Sequence, residues 1–597
     1  MDSRTAAHVL SEIADLLSLR AENRFKSRAY KNAAKAVLAL NTDDLLPAYR
    51  SGELGRLRGI GKSTLSVVGE LIETGESSYL EQLKQNVPEG VVELMQVPGL
   101  NAEKIQLIHE ALGVSTVNEL EAAARDGRLT TVKGFGERTA ASILDGIAFM
   151  RTASTLELFP RAAAEAVRLC EAVRRHPDVI RAEIAGSIRR VNEVVRNVDI
   201  VAAVSANPED VAASFTHVAG VIDATANGPN ATVRFVDRTL LDLRCVRQDQ
   251  FAVAWWRATG SQAHVDQMAE ALSNRGYSIN GDEIFDRAGT RVPIATEHDL
   301  YALLDLAFIP PEMREGFGEL GAARGPLPKL VTNADIRGIL HCHSNYSDGH
   351  TTIRELVDAA RSRGWSYLGV SDHSMSAFYA GGLSPAEVTR QHDEIDALNA
   401  TLTDFRVLKG IEADILVSGD LDYPDGTLDK FDYVIASIHS RFRMSESEMT
   451  TRILKALDDP RLTILGHATG RLLLSRDPYP VDIDAVLEKA AEGGVAIELN
   501  ADPKRLDLDW RHLLRARELG MPVEIGPDAH SIRGLDCMEL GVGIARKAWL
   551  GAGDILNARS ADDVLAFATA RRERAYERWA APRGSVAPQP TDDDIPF

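Results

Sequence analysis

The sequence predicts a multidomain chain: a mainly α N-terminal region, an α+β middle region and a C-terminal α/β barrel. Three patterns predict it. The first ~150 residues read as short amphipathic helices broken by glycine turns. Residues 161–310 alternate helix-like and strand-like stretches. From Asp335 to about Trp579 a strand, a loop and a helix repeat, which suggests parallel strands closing into a barrel.

Composition sets the outer limits. The 597 residues are 45% hydrophobic and 26% charged, ordinary for globular protein with several cores. No apolar run approaches the ~18 residues that span a bilayer, so no membrane partner is expected. The opening Met1-Asp2-Ser3-Arg4, followed by Glu12 and Asp15, does not read as a signal peptide. Cys170, Cys245, Cys342 and Cys537 stand far apart with no CxxC pair, which points to a reducing cytoplasm. A net charge of −20 argues against nucleic-acid binding through global charge. Residues 20–62 are the exception, with ten Lys/Arg against four acids. One face there suits phosphate.

The expected boundaries are 1–85 and 86–155 for the helical regions and 156–315 for the α+β region. A linker follows at 316–335, rich in Gly, Ala and Pro over Gly316–Pro328. The barrel takes 336–579 and a Pro-rich, then acidic, disordered tail takes 580–597.

The helical regions carry one turn three times: Leu57-Arg58-Gly59-Ile60-Gly61-Lys62, Val97-Pro98-Gly99-Leu100-Asn101 and Val132-Lys133-Gly134-Phe135-Gly136-Glu137. Glycine permits the tight turn and lets a phosphate reach the N–H groups opening the next helix. The copies resemble helix-hairpin-helix motifs, which hold DNA backbone without reading sequence. Gly59, Gly61, Lys62, Gly99, Gly134 and Gly136 are the candidate contacts, and gapped, nicked or 3′-ended DNA the expected partner. The second copy is weaker, because Asn101 replaces the second glycine.

In the middle region, Gly186-Ser187-Ile188-Arg189-Arg190 precedes Asn197-Val198-Asp199-Ile200-Val201, then Leu241-Asp242-Leu243-Arg244 and Thr259-Gly260-Ser261. This order resembles the palm of family X DNA polymerases, and Arg28-Ala29-Tyr30-Lys31-Asn32-Ala33-Ala34 resembles that family's N-terminal domain. The resemblance implies a nucleotide pocket at Gly186, Ser187, Arg190, Asn197 and Gly260, with Asp199 and Asp242 as catalytic carboxylates. Two-metal nucleotidyl transfer needs three carboxylates. Asn197 stands where the family has the first, and a neutral amide holds Mg²⁺ far less well. The family's glycine before the pair is Arg196, its aromatic pair is Arg257-Ala258, and its usual Asn is Val265. Its lyase lysine falls at about Val67, with Lys62 and Lys84 nearby. The palm therefore reads as a degenerate polymerase site on a retained fold.

The barrel is the most informative part. Seven apolar segments end in ligand-type residues. Ile336–Leu340 leads to His341-Cys342-His343, Tyr367–Val370 to Asp372-His373, and Arg406–Ile411 to Glu412. Tyr433–Ile438 leads to His439, Thr463–Gly466 to His467, Val495–Leu499 to Asn500, and Pro522–Gly526 to Asp528-Ala529-His530. Clustered carboxylates and imidazoles need a cation to offset repulsion and desolvation. Positions i and i+2 put His341 and His343 on one side of an extended segment, with Cys342 facing away.

These motifs, with Ser347-Asp348-Gly349, resemble the polymerase-and-histidinol-phosphatase (PHP) domain over roughly 336–575. The resemblance implies a distorted (β/α)7 barrel and a three-metal cluster of Mn²⁺, Zn²⁺ or Fe. One metal would take His341, His343, Glu412 and Asp528. A second would share Glu412 and take His439 and His467, and the third would take Asp348, His373 and His530. A metal-activated hydroxide would then attack phosphate. Arg471 and Arg505, which follow ligand strands closely, are the candidate phosphate clamps.

The family X order followed by PHP resembles bacterial PolX proteins. It implies a DNA-repair phosphoesterase acting as a 3′–5′ exonuclease or on 3′ ends, including abasic-site cleavage. Three other readings compete: a gap-filling polymerase with a proofreading barrel, a histidinol-phosphatase-like enzyme of small molecules, and a non-enzymatic scaffold. The end of the chain, Asp592-Asp593-Asp594-Ile595-Pro596-Phe597, resembles the tip of bacterial single-stranded-DNA-binding proteins. It implies docking on repair proteins that recognise that tip.

Overall fold

The computed structural model describes residues 1–580 apart from 2, 19–23, 39, 41–44, 76, 86–92, 96, 98–99 and 425. Gly99 and the tail from Asp592 to Phe597 lie outside the described residues. The chain divides into two compact units, Met1–Leu158 and Phe159–Phe597.

The first unit is helical. Helices α1 (Ser3–Ser18) and α2 (Arg24–Leu38) bury Leu10, Ile13 and Leu17 together with Ala33 and Val37. Each carries its apolar residues on one stripe, so pairing the two stripes removes both from water. The two complete glycine turns have the same geometry. Gly59 (φ 108°) and Gly134 (φ 95°) lie in the left-handed region that favours glycine. Gly61 and Gly136 then cap α3 (Lys62–Thr74) and α5 (Glu137–Ala153) with no side-chain acceptor, which leaves the opening N–H groups to an anion. The middle copy differs. Asn101 accepts from the Lys104 N–H at 2.9 Å and so caps α4 (Ala102–Leu112) with its own side chain.

The second unit begins with α6 (Phe159–Arg174) packed on a five-stranded sheet. Its strands are β1 (Val179–Ile184), β2 (Val198–Val204), β3 (Val221–Asn227), β4 (Asn230–Phe235) and β5 (Leu240–Arg247), in the order β1-β2-β5-β4-β3. Strands β2 and β5 are parallel and in register, with Asp199 opposite Asp242. Cys170, Ile200 and Leu243 are buried between helix and sheet. Helices α7 (Phe251–Thr259) and α8 (Gln262–Arg275) follow, and then a small three-stranded antiparallel sheet.

Seven parallel strands form the barrel in sequence order: β6 (Gly338–Ile339), β7 (Tyr367–Val370), β8 (Arg406–Asp414), β9 (Tyr433–Ser437), β10 (Ile464–Leu465), β11 (Ala496–Asn500) and β12 (Val523–Gly526). The barrel is nearly closed, because the His343 N–H donates to the Ala529 carbonyl at 2.9 Å just beyond β6 and β12. Strands β7, β9, β11 and β12 are buried along their whole length, which explains why they read as continuous apolar runs rather than alternating ones.

The stretch 316–335, expected as a linker, is exposed at about half of its residues and touches its neighbours at separate points. Phe317 sets its ring edge-on to Trp510 with centroids 5.0 Å apart, and Leu330 and Val331 are buried. Gly and Pro here serve tight turns in a domain contact. A buried ammonium anchors that contact. Lys547, at the end of α9 (Cys537–Lys547), is 1% exposed. It donates to Asn192 Oδ1 at 2.9 Å and to the Arg190 carbonyl at 3.1 Å, and it pairs with Glu315. Removing one partner of a buried pair typically costs ~3 kcal/mol or more. Lys547→Ala should therefore lower the stability of the second unit by about 3 kcal/mol in urea unfolding. A shift below about 0.5 kcal/mol, the range of ordinary surface changes, would show that the contact carries no stability.

Candidate metal centre and palm site

The nine expected ligands converge at the C-terminal ends of the barrel strands. Three of their groupings have donor atoms within 4.8 Å of one another: His343, Asp348, His373 and His530; His341, His343 and Asp528; and His373, Glu412 and His439. Glu412 lies in the middle. Its carboxylate is 2.9 Å from His467 Nε2, 3.0 Å from His373 Nδ1 and 3.3 Å from His439 Nε2. The groupings differ from the expected partition: His467 is in none of the three, and Glu412 groups with His373 and His439 but not with His341 and His343. His343 and His373 each reach across two sets, because the rings stack, with His343 4.5 Å from His373 and 4.3 Å from His530 between centroids.

The donor set suits cations. His341 Nδ1 donates to the Glu498 carboxylate, which turns the buried Nε2 toward the centre. That nitrogen is 3.5 Å from both Glu412 Oε2 and Asp528 Oδ1. Two carboxylate oxygens facing a ring nitrogen in a buried space call for positive charge among them, which a metal ion supplies. The rings share the charge unevenly: against burial, the neighbouring carboxylates push His341 well up, His439 to about 10 and His530 to about 9. Burial works against ionisation of Glu412 and Asp528, yet the surrounding imidazoles hold both well below the usual carboxylate range. Burial, assisted for His343 by its neighbouring rings and for His467 by Arg505, pushes these two imidazoles down to about 4. Both therefore stay neutral, the form that ligates metal.

Three carboxylates outside the expected ligand set hold the ligands in place. Glu498, fully buried, also accepts the His467 backbone N–H. Asp414 takes the His439 Nδ1 proton at 2.6 Å and so presents Nε2 to Glu412. Asp372 accepts from the Ser344 N–H at 2.9 Å and from Gln391 Nε2 at 2.5 Å, which fixes the loop carrying Asp348. The signals were present in the sequence. Glu498 is a charged residue inside an apolar run, and Asp414 is two residues after Glu412, hence on the same strand face.

The two arginines separate. Arg505 is 3.5 Å from Asp528 Oδ2 through Nε and sits beside the cluster, its charge favoured by Asp528 and Glu412 although burial opposes it. Arg471 does not reach the cluster. Its guanidinium donates to the Arg505 carbonyl at 2.9 Å, to Asp509 Oδ2 at 2.6 Å and to the Leu506 carbonyl. The guanidinium is committed to backbone and carboxylate, so it braces the loop bearing Arg505 and is not placed to clamp phosphate.

In the palm, Asn197 Nδ2 donates to Asp199 Oδ1 at 2.9 Å and to Asp242 Oδ2 at 2.7 Å. The amide ties together the two carboxylates that a cation would otherwise bridge. Burial and the neighbouring Asp242 push Asp199 up to about 7, so it holds its proton for much of the neutral range. Gly186 lies against that carboxylate, with no room for a Cβ. Arg190, expected at a triphosphate, is engaged by Glu315 at 2.8 Å and by the Thr259 carbonyl at 2.7 Å. Arg257 donates to the Gly281 carbonyl at 2.9 Å and lines a cavity of about 350 Å³ together with Asp199, Asp242 and Thr232. Ser187 accepts the Asn192 N–H through its backbone carbonyl at 2.9 Å, and Gly260 ends α7. Asn197, Asp199 and Asp242 are thus tied to one another, while Arg190 and Arg257 are engaged by other groups.

Comparison with known proteins gives matches along most of the chain. Family models match a helix-hairpin-helix domain (residues 1–77), a SAM-like helix-hairpin-helix tandem (91–148), a DNA polymerase beta thumb (254–315) and a PHP domain (340–502). The chain is 36% identical over 576 residues to a DNA polymerase/3′–5′ exonuclease PolX of Bacillus subtilis, covering 95% of this chain and 99% of that protein. It is also similar to a probable phosphatase of Clostridium acetobutylicum, 37% identical over 172 residues, which is 27% of this chain and 63% of that protein. A probable phosphatase of Thermoanaerobacter sp. is 31% identical over 208 residues, 32% of this chain and 77% of that protein.

The Glu498 contact can be tested by metal affinity. A carboxylate that orients a ligating histidine is typically worth 10–100-fold in affinity. Glu498→Gln should lose metal to a competing chelator at ~10–100-fold lower chelator concentration, with unchanged far-UV circular dichroism. Equal retention by both proteins would remove Glu498 from the metal centre.

Proposed function

Because the chain belongs to the PolX family, with a family X polymerase region joined to a C-terminal PHP domain, we propose that it is a DNA-repair enzyme whose barrel hydrolyses DNA phosphoester bonds at 3′ ends. The enzyme is a metal-dependent hydrolase. The carrying observation is the convergence of nine ligand residues and Arg505 at one end of the barrel. Mn²⁺ or Zn²⁺, up to three ions, suits six imidazoles and three carboxylates. Such ions, when bound, supply Lewis-acid activation of water and charge neutralisation at phosphorus.

The chain's own residues set up the reaction. Glu498 and Asp414 fix the tautomers of His341 and His439, so that each offers Nε2 to the centre. Arg505 sits beside the cluster in a position to take a phosphate oxygen, held there by Arg471 through the loop backbone. The glycine turns at Gly59–Lys62 and Gly134–Gly136 hold the DNA backbone through open helix starts. A small-molecule phosphatase would have no use for them, and the phosphatase relatives match only 27% and 32% of this chain.

The palm, in this reading, has lost nucleotidyl transfer. Asn197 supplies an amide where a cation would bridge Asp199 and Asp242, and Arg190 is committed to Glu315. The second reading, a working gap-filling polymerase, draws support from the name of the Bacillus relative and from the aligned pair Asp199 and Asp242. The tail docking through Asp592–Phe597 stays a sequence-based proposal. It is tested by displacing a bound tail peptide with a single-strand-binding tip.

On a labelled gapped duplex with Mn²⁺, wild-type protein should shorten the 3′ end and should not extend it when dNTPs are added. His341→Ala or Asp528→Ala should remove hydrolysis, by about 100-fold or more, while DNA binding by gel shift changes little. Template-directed extension that Asp199→Ala abolishes would establish the polymerase reading instead. Asn197→Asp alone should leave extension weak, since Arg196 and Arg257 remain.

A further inference from the structure

The barrel mouth carries two features that the metal centre does not use. The first is the loop directly after His373. Phe378 stands on it with 85% of its surface exposed, and Met375 is 39% exposed. A ring this exposed forgoes hydrophobic stabilisation, and in a fixed loop no packing offsets that. The loop is fixed at both ends to the metal centre. The Ser374 N–H donates to the Glu412 carbonyl at 3.0 Å, and the Leu383 N–H to the His373 carbonyl at 2.9 Å. In its middle, Ser376 Oγ donates to Asp414 at 3.1 Å, the carboxylate that orients His439.

The second feature is the turn after His439, Ser440-Arg441-Phe442-Arg443-Met444. Arg452 Nη1 holds the Ser440 carbonyl at 3.0 Å. Phe442 is anchored, stacked on Tyr479 with centroids 6.1 Å apart and capped by the Arg476 guanidinium at 4.2 Å. Arg441 and Arg443 on either side of it are exposed, and among the described residues neither makes an ion pair. Arg441 is held at φ 63°, an uncommon backbone for a non-glycine residue. In a chain of net charge −20, two such arginines on one turn beside the centre form a local anion-binding rim. The two loops leave strands β7 and β9, which flank β8 and its Glu412, so they rim the same opening.

We propose that, when a DNA 3′ end enters this mouth, Phe378 stacks on its terminal base and Arg441 and Arg443 take the phosphates behind it. The inference rests on the nuclease reading above and names the residues that grip the strand. An exposed aromatic beside a basic rim is the arrangement that grips an unpaired strand whatever its sequence, because every base has a stacking face and every linkage a charge. Stacking of this kind requires an unpaired terminal base, so a paired 3′ end would have to fray first.

The test uses the full chain loaded with Mn²⁺ and two labelled single-stranded oligonucleotides, alike except that one ends in a 3′ abasic residue. Wild-type protein should remove the base-bearing terminal residue about tenfold faster, in kcat/KM, than the abasic one. Phe378→Ala should bring that ratio near one, and Phe378→Trp should keep it. Metal content and melting temperature should match wild type in both variants. The Arg441→Ala/Arg443→Ala double variant should reduce the slope of log KM against log salt by about 1.4, ~0.7 for each phosphate no longer neutralised. A ratio that Phe378→Ala leaves unchanged, or an unchanged salt slope, would overturn the corresponding part of the proposal. If wild-type protein cleaves neither oligonucleotide yet hydrolyses a phosphomonoester, the nuclease reading itself fails and this inference falls with it. If cleavage is normal and only the ratio is one, the inference alone fails.

Discussion

A single buried carboxylate sets the terms for the barrel. Glu412 is 1% exposed and has five imidazoles within 4 Å, those of His341, His343, His373, His439 and His467. A carboxylate so placed cannot be solvated, and five imidazoles cannot all be charged beside one another. The arrangement is stable when cations replace the missing protons and water. The rest of the barrel follows from that constraint. Strand ends from every side must reach one point, which a closed parallel sheet provides. The ring tautomers must be fixed from behind, which brings Glu498 and Asp414 into the interior. Those carboxylates are tolerated there only because each is itself hydrogen-bonded.

The palm solves a similar problem without a cation. Asp199 and Asp242 face each other across two parallel strands, and burial makes their joint ionisation costly. The Asn197 amide donates to both, and Thr232 donates to Asp242 at 2.6 Å. Neutral donors and a retained proton do the neutralising there, whereas in the barrel the ring nitrogens and carboxylates face one another around a space that suits cations. The two sites thus contain the same kind of residue in opposite states, and the difference lies in what neutralises the carboxylates.

Much of this was legible in the sequence. Ligand residues at strand ends could be read because a histidine after an apolar run has few packing reasons to recur. The departure at Asn197 could be read because a single neutral residue breaks a carboxylate set. Glu498 and Asp414 were harder, since a side chain that supports a ligand has no fixed spacing from it. Arg471 and Arg505 show the limit of position alone. Both follow a ligand strand, yet one faces the cluster and the other turns back onto the loop backbone. Chain direction after a strand end is decided by the loop's own hydrogen bonds, which the sequence does not display. The stretch 316–335 read as a linker because turn residues serve exposed spacers and connections that touch their neighbours alike.

The retention of a palm whose carboxylates are tied off has a physical explanation in the loop 189–193. Val191 packs against Gly543, where a Cβ would meet it at 2.9 Å. The Arg190 carbonyl and the Asn192 side chain receive the Lys547 ammonium, which only they and Glu315 satisfy among the described residues. Glu193 lies 3.6 Å from Arg471, the residue that braces the loop of Arg505. Stripping the palm away would leave Lys547 buried beside an apolar surface without its acceptors and would loosen the loop nearest the metal centre. The motif that binds triphosphate in the polymerase pattern here faces the barrel. Its charged and polar groups are satisfied by that contact, so the loop stays under structural constraint whether or not a nucleotide ever enters the palm.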